Sequence, residues 1–209
     1  YKRQLLTIVL IKSCDYDLTF SPAQTQDIGF SSDTVYLDTV FTSIGSSTYN
    51  LRIYNQSNRN VEIGSIRLGQ GSQSQFRINV DGIHGERFEK VELLAKDSIY
   101  VFIETTVDIK EYTPNATEFL YNDQLLVDNQ AVELITLVKD AIFLYPERDK
   151  DGIKEILPLG IDDEGNVVGI EGFYLDDDEL VFTNEKPYVI YGYAGIPPEK
   201  TAVFEAGAR

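Results

Sequence analysis

Apolar and polar residues alternate in short runs between residues 30 and 145, and turn-forming residues separate the runs. Runs of this kind occupy residues 34–41, 49–54 and 76–80, while residues 55–60 are all Asn, Gln, Ser or Arg. Because successive side chains of a strand point to opposite faces, the alternation predicts strands with one buried face. The sequence therefore predicts an all-β fold, with about seven short strands packed as a β-sandwich rather than as a parallel α/β sheet.

The run at residues 98–104 (SIYVFIE) is the most apolar of the set, and both of its faces are hydrophobic. Strands that are covered on both faces have this composition. We therefore expect this segment to be a central strand of the sandwich.

Three segments carry the patterns of a known domain type: Leu51-Arg52-Ile53-Tyr54-Asn55, then Val61-Glu62-Ile63-Gly64-Ser65-Ile66, then Phe76-Arg77-Ile78. Their order resembles the immunoglobulin-like domains of the Hydin/ASH type, over about half of the chain. The resemblance implies an immunoglobulin-like β-sandwich at residues 30–145 that serves as a spacer, adhesive or docking module. It implies no catalytic residues.

An apolar run at residues 5–11 follows Lys2 and Arg3 and precedes Ile11-Lys12-Ser13-Cys14. The run is too short to cross a bilayer but fits the hydrophobic part of a secretory signal. The segment ending at Cys14 resembles the lipobox of bacterial lipoproteins, in the looser form of Bacteroidota, because Lys12 departs from the strict pattern. The resemblance implies lipidation of Cys14. The alternative is a buried strand at residues 5–11 with Cys14 as a core thiol.

The lipoprotein interpretation divides the N-terminal part into a signal peptide and lipobox at residues 1–14 and a polar tether at residues 15–29. It implies a partner, the membrane reached through the lipid anchor, and a location in the bacterial cell envelope, at the outer membrane. Residues 1–4 (YKRQ) resemble a sequencing-adapter remnant and are expected to be non-native. The sequence contains no Met, so it is either a processed form or a fragment of a longer chain, and residues 201–209 are strand-like up to the last residue; we therefore expect both ends to be truncated.

Composition excludes several function classes. The formal net charge of −16 repels phosphate, so nucleic acid is not an expected partner. One Cys and one His exclude an internal disulfide framework and metal sites built from several Cys or His residues. His84, in the Gly-flanked segment Asp81–Glu86, has no nucleophile or second His in a catalytic motif beside it, and we interpret it as a solvated turn residue. We predict neither catalytic residues nor a metal site.

Acidic residues cluster in three segments after residue 145, at 149–155, 162–166 and 176–179. Asp149-Lys150-Asp151-Gly152 has part of the spacing of a calcium loop, but the remaining ligands and the flanking helices are missing. We expect solvated turns, with a weak calcium site as the alternative and no other cofactor. Asp163-Glu164-Gly165-Asn166 predicts a hairpin turn between two short apolar runs.

Residues 146–209 contain short strands such as Tyr188-Val189-Ile190-Tyr191-Gly192, followed by Val203-Phe204-Glu205-Ala206-Gly207. This order resembles the first coil of right-handed parallel β-helix proteins. Because one coil cannot bury its own apolar face, the resemblance implies that further coils follow.

We therefore interpret the chain as the N-terminal part of a non-catalytic envelope lipoprotein that acts as a surface spacer or binding module. Polysaccharide is the ligand class that a β-helix groove suggests, and an envelope protein is the other candidate partner. Two alternatives remain: the N-terminal part of a β-helix polysaccharide lyase or hydrolase whose catalytic coils lie elsewhere, and a purely structural envelope component.

Overall fold

The computed structural model describes residues 18–113 and 115–209. The regular secondary structure of this part of the chain is almost entirely β, so the expected all-β class is confirmed. The predicted signal segment and Cys14 lie outside the described residues. Within the described ranges, no helix is long and apolar enough to span a membrane.

The N-terminal strands of the described chain are β1 (Ser21–Pro22), β2 (Ile28–Phe30), β3 (Thr34–Phe41), β4 (Tyr49–Asn55), β5 (Val61–Leu68), β6 (Phe76–Val80), β7 (Ile83–Gly85), β8 (Arg87–Leu93), β9 (Ser98–Thr105), β10 (Glu118–Val127) and β11 (Gln130–Lys139). A helical turn, α1 (Ile109–Tyr112), follows β9, and 3-10 turns lie at Thr25–Asp27 and Gly71–Gln73. The C-terminal strands are β12 (Ile142–Leu144), β13 (Ile156–Ile161), β14 (Val167–Tyr174), β15 (Val181–Phe182), β16 (Tyr188–Ile190), β17 (Tyr193–Gly195) and β18 (Val203–Phe204).

Strands β1–β11 form two sheets. One sheet has the order β1-β5-β10-β11-β3, with β8 also paired to β5, and the other has the order β2-β4-β9-β6-β7. Strand β9 lies at the centre of the five-stranded sheet, as its apolar sequence predicts. Most neighbours are antiparallel, whereas β3 runs parallel to β11.

The inner faces of both sheets share one hydrophobic core. Leu51 and Ile53 of β4, together with Ile63 of β5 and Leu134 of β11, are fully buried in it. Each such side chain contributes about 1.5–3 kcal/mol relative to an exposed position. The period-two pattern of the sequence therefore corresponds to the inward residues of a β-sandwich.

The sandwich begins earlier than the sequence predicts. Ser21 and Pro22, within the expected tether, pair with Val61 and Glu62 of β5, and β2 pairs with β4. Ile28 is buried in the core. The polar composition of residues 18–27 concealed these contacts, because an edge strand of two or three residues has too few side chains to show alternation.

Strands β12–β18 surround a second, smaller core made by Leu144, Phe173, Leu175, Leu180 and Phe182. Strands β13 and β14 form an antiparallel hairpin, whose turn includes Gly165 at φ 87°. The hairpin turn predicted at residues 163–166 is confirmed. A left-handed backbone at this position favours glycine.

Three parallel ladders hold the rest of this region together. Strand β12 pairs with β16, the end of β14 (Gly172–Tyr174) pairs with β17, and β15 pairs with β18. Along the chain, the first strands of the three ladders come in the order β12, β14 and β15. Their partners β16, β17 and β18 then follow in the same order. We call the first circuit coil 1 (β12, β14 and β15) and the second circuit coil 2 (β16, β17 and β18).

Candidate functional site on the outer face of the five-stranded sheet

The outer face of the five-stranded sheet carries exposed aromatic rings at its centre. In β9, Val101 and Ile103 point into the core, whereas Tyr100 and Phe102 point outward and are each 39% exposed. The sequence predicts a strand that is covered on both faces, and this part of the prediction is wrong. Large apolar side chains that stay exposed beside polar ones are a feature of interaction sites.

A row of side chains crosses four strands at Phe102. Asn50 of β4 lies opposite Phe102, Phe102 lies opposite Asn79 of β6, and Asn79 lies opposite His84 of β7. Residues directly opposite each other in antiparallel strands project from the same face. The register therefore brings two amides, one aromatic ring and one imidazole into a single line.

Two further cross-strand pairs flank this row. On one side Arg52 lies opposite Tyr100, with its guanidinium carbon 4.5 Å from the ring centroid. The Tyr100 and Phe102 rings are nearly parallel, 5.9 Å apart. On the other side Arg77 lies opposite Glu104, with a nitrogen–oxygen distance of 3.8 Å. We call this surface the aromatic face; it comprises Asn50, Arg52, Arg77, Asn79, His84, Tyr100, Phe102 and Glu104.

The aromatic face contains a shallow cavity of about 330 Å³ between Phe102, Asn79, His84 and Glu104. The Oδ1 atom of Asn79, one of the lining residues, is buried and has no hydrogen-bond partner among the described residues. A buried acceptor without a partner costs free energy.

His84 lies on β7, a short edge strand, although the sequence predicts a turn residue at this position. The residue is exposed, as predicted, but its strand pairing brings it beside Asn79 and the cavity. The Gly residues that flank it suggested a loop, whereas only the pairing of β7 with β6 reveals its neighbours. Sequence reasoning missed the other members of the face, although the exposed Tyr100-x-Phe102 repeat was a usable signal.

In two of the predicted acidic turns, one carboxylate accepts hydrogen bonds from backbone N–H groups of the same turn. Asp149 accepts the N–H groups of Asp151 and Ile153, each at 2.9 Å. Asp162 accepts the N–H groups of Glu164 and Asn166, and the Asn166 N–H holds the pKa of Asp162 below its usual value. The described residues hold no group of three or more His, Cys, Asp or Glu side chains placed to bind a metal. These contacts show that Asp149 and Asp162 each cap the backbone of their own turn.

No protein family matches this chain, and no curated protein matches it. Among solved structures, it is similar to a protein of unknown function from Porphyromonas gingivalis W83, with a TM-score of 0.33, 10% identity, and coverage of 58% of this chain and 55% of the other. It is also similar to a family 123 glycoside hydrolase from Clostridium perfringens, with a TM-score of 0.35, 10% identity, and coverage of 56% and 30%. The ASH/PapD-like domain 7 of human CEP192 has a TM-score of 0.30 and 8% identity, with coverage of 66% and 97%.

The chain therefore spans about half of the first of these proteins (55%) and less than a third of the second (30%). The two-sheet sandwich described above rests on this chain's own strand pairing and shared core.

Proposed function

We propose that this chain is a non-catalytic binding module of the bacterial cell envelope, and that the aromatic face binds polysaccharide. The observation that carries the proposal is the row Asn50, Phe102, Asn79 and His84 on an open sheet face. A sugar ring has an apolar C–H face and an edge of hydroxyl groups. An exposed aromatic ring can pack on the first, while amide, guanidinium and carboxylate groups hydrogen-bond the second.

The charge of the protein indicates which class of polysaccharide it would bind. The chain has a net charge of −16, which repels polyanions at long range. The aromatic face itself contains two arginines and one glutamate, a formal charge of +1 with His84 counted as neutral, which is small beside the −16 of the chain. We therefore expect a neutral polysaccharide as the ligand, in preference to a uronic-acid or sulfated polymer.

The location rests on the N-terminal sequence. Cys14, the only cysteine of the chain, follows the basic and apolar segment, and its lipidation would anchor the protein at the outer membrane. The sandwich would then act as a spacer that holds the aromatic face away from the bilayer. Metabolic labelling of the expressed protein with a palmitate analogue tests this part, with Cys14→Ser as the variant that should lose the label.

We also propose that coils 1 and 2 are the first two coils of a parallel β-helix. Three parallel ladders visited twice in the same order support this. The spacing from Gly172 to Tyr193 is 21 residues and that from Val181 to Val203 is 22 residues, as expected for a repeated circuit. The first ladder has a longer spacing because the β13–β14 hairpin is inserted in coil 1.

A glycan array tests the binding proposal. We expect the chain to bind one or a few neutral polysaccharides, and we expect Phe102→Ala to weaken binding about tenfold, which corresponds to ~1.4 kcal/mol. Tyr36→Ala is the matched control, because Tyr36 is also exposed and aromatic but lies on β3 in the other sheet. Both variants should keep the melting temperature of the parent, since neither ring is in the core.

Two results would overturn the binding proposal. One is the absence of any bound polysaccharide, and the other is equal binding by the parent and Phe102→Ala. Cleavage of a bound polysaccharide by the purified chain would instead favour the lyase or hydrolase alternative.

A further inference from the structure

The β13–β14 hairpin leaves large apolar side chains exposed on both of its faces. Leu159 is 68% exposed and Ile161 73%, and on the opposite strand Val167 is 58% and Val168 47% exposed. Val167 and Val168 are successive residues of one strand, so they project from opposite faces of the hairpin. The part of the hairpin nearest its turn is therefore apolar and exposed on both sides. Apolar side chains clustered on an exposed surface are a feature of interaction sites.

The base of the hairpin is fixed to the rest of the C-terminal region. Leu157 of β13 packs over Gly172 of β14 and Gly195 of β17. The N–H of Gly172 also donates to the carbonyl of Glu155, at 3.4 Å. The exposed part is thus held in place by an anchored base. A surface that is ordered before binding loses less conformational entropy when a partner binds.

A cavity of about 300 Å³ lies at the base of the hairpin, where Glu155 leads into β13. Its lining combines aromatic rings with acidic side chains, among them Tyr145, Tyr174, Glu147, Glu155, Asp176 and Glu179. These four acidic residues take part in none of the ion pairs of the described residues. Carboxylates attract a cation, and the face of an aromatic ring can hold one. The cavity therefore suits the side chain of a lysine or an arginine.

The charge around the hairpin indicates the chemistry of its occupant. Residues 146–179 contain twelve acidic and three basic residues, a formal charge of −9. A second copy of the chain would bring the same charge to the contact, and a bilayer with anionic lipids would also repel it. A polypeptide segment with basic and apolar side chains is complementary to both the cavity and the hairpin.

Side chains rather than strand pairing would make the contact. Strand β13 pairs only with β14 among the described strands, so its other edge is open. Pro158 and the register shift between Pro158 and Gly160 interrupt this edge. A proline and a bulge are features that prevent an edge strand from pairing with another strand.

We infer that the β13–β14 hairpin and the cavity at its base form one docking surface for a partner protein. The bound segment carries apolar side chains for the hairpin and a lysine or an arginine for the cavity. An extended segment of about six residues has the length of β13 and so reaches from the cavity to Ile161. The aromatic face lies on other strands, so this partner is additional to the polysaccharide, and the inference does not rest on polysaccharide binding.

A selection from a phage-displayed library of random peptides on the purified full chain tests the inference. We expect the enriched peptides to combine Lys or Arg with apolar residues. They should bind at least about tenfold more weakly to the double variant Leu159→Ser, Ile161→Ser. Leu120→Ser, at a similarly exposed apolar position on β10, is the matched control and should bind them as the parent does. All three side chains are exposed, so both variants should keep the melting temperature of the parent.

The double variant Glu147→Gln, Glu155→Gln tests the cavity separately. We expect it to bind the same peptides about tenfold more weakly than the parent at low salt. The difference should shrink as the salt concentration rises, because salt screens the attraction between charges. Glu92→Gln, at an exposed position of β8 in the sandwich, is the matched control and should leave the affinity unchanged.

Several results would overturn the inference. One is a selection that enriches no peptide or only peptides without Lys or Arg, and another is equal binding by the parent and the hairpin variant. Dimers in sedimentation that require Leu159 and Ile161 would make a second copy the occupant. Flotation of the unlipidated chain with phosphatidylglycerol vesicles that requires the same residues would make it a lipid surface. Polysaccharide binding, measured on the same variants, should stay at the level of the parent, so the two proposals can fail separately.

Discussion

Asn55, at the end of β4, holds two loops of the sandwich together through its side chain. Its Nδ2 donates to the carbonyls of Arg59 at 2.6 Å and Leu94 at 2.9 Å, and its Oδ1 accepts the N–H of Ser57 at 3.0 Å. The residue is only 2% exposed. The sequence contains this Asn as the last residue of an alternating pattern, and the structure gives its reason: one side chain connects the backbone of the loop after β4 to the backbone of the turn after β8.

Replacement of Asn55 by Ala should destabilise the sandwich by about 2–4 kcal/mol, because the buried side chain loses its hydrogen bonds to three backbone groups, each worth about 0.5–1.5 kcal/mol. Urea unfolding measures the change. Asn58→Ala, at an exposed position of the same loop, is the control and should change the stability by less than about 0.5 kcal/mol. Equal effects of the two substitutions would contradict the role given to Asn55.

At the scale of elements, the ladder between β14 and β17 depends on the absence of a side chain at Gly172. A Cβ at this position would meet the backbone oxygen of Tyr193 and would lie 2.9 Å from a methyl group of Leu157. The backbone atom cannot move without breaking the ladder. Glycine is therefore required here by the close approach of two strands.

Gly172→Ala should destabilise the C-terminal region by about 1–3 kcal/mol, the usual cost of overpacking. Gly160→Ala in the neighbouring strand β13 is the control, since no heavy atom of the described residues lies within 4 Å of its added Cβ. Thermal melts followed by tyrosine fluorescence compare the two. A larger loss for Gly160→Ala would show that the ladder does not pack as described.

Sequence patterns predict where the strands are better than they predict which strands pair with one another. The runs at 34–41, 49–54 and 98–104 become β3, β4 and β9, because alternation follows directly from which side chains are buried. The edge strands β1, β2 and β7 were missed, since segments of two or three residues pair through backbone groups and are too short to show alternation. The aromatic face was missed for a related reason: only the register shows that Asn50, Phe102, Asn79 and His84 are neighbours.

At the scale of the whole molecule, the described chain contains two separate hydrophobic cores. The first is shared by the two sheets of the sandwich, and the second lies among β12–β18. Lys186 and Asp140 connect the regions through an ion pair of 2.6 Å, in which the Asp140 side chain is only 8% exposed. Two cores joined by few contacts are expected to open as separate cooperative units.

Leu37→Ala and Phe182→Ala should therefore affect different unfolding transitions. Leu37 is fully buried in the first core, and Phe182 packs in the second, 4.4 Å from the Phe204 ring. We expect losses of about 2–5 and about 3–5 kcal/mol respectively, each confined to its own region. Residue-resolved amide exchange checks this, and a uniform loss of protection from either variant would show a single cooperative unit.

The parallel pairing of β3 with β11 has a mechanical consequence. Thr34 begins β3 beside Glu133, and Phe41 ends β3 beside Lys139, so the two strands run in the same direction. A force that pulls the N-terminal side of β3 away from the C-terminal side of β11 acts along both strands and shears the ladder. All of its hydrogen bonds then resist together, whereas a hairpin pulled from its open end loses them one by one. Under a pull on the two ends of the sandwich, the short strands β1 and β2 precede β3 and would detach first, and the ladder between β3 and β11 would then resist in shear.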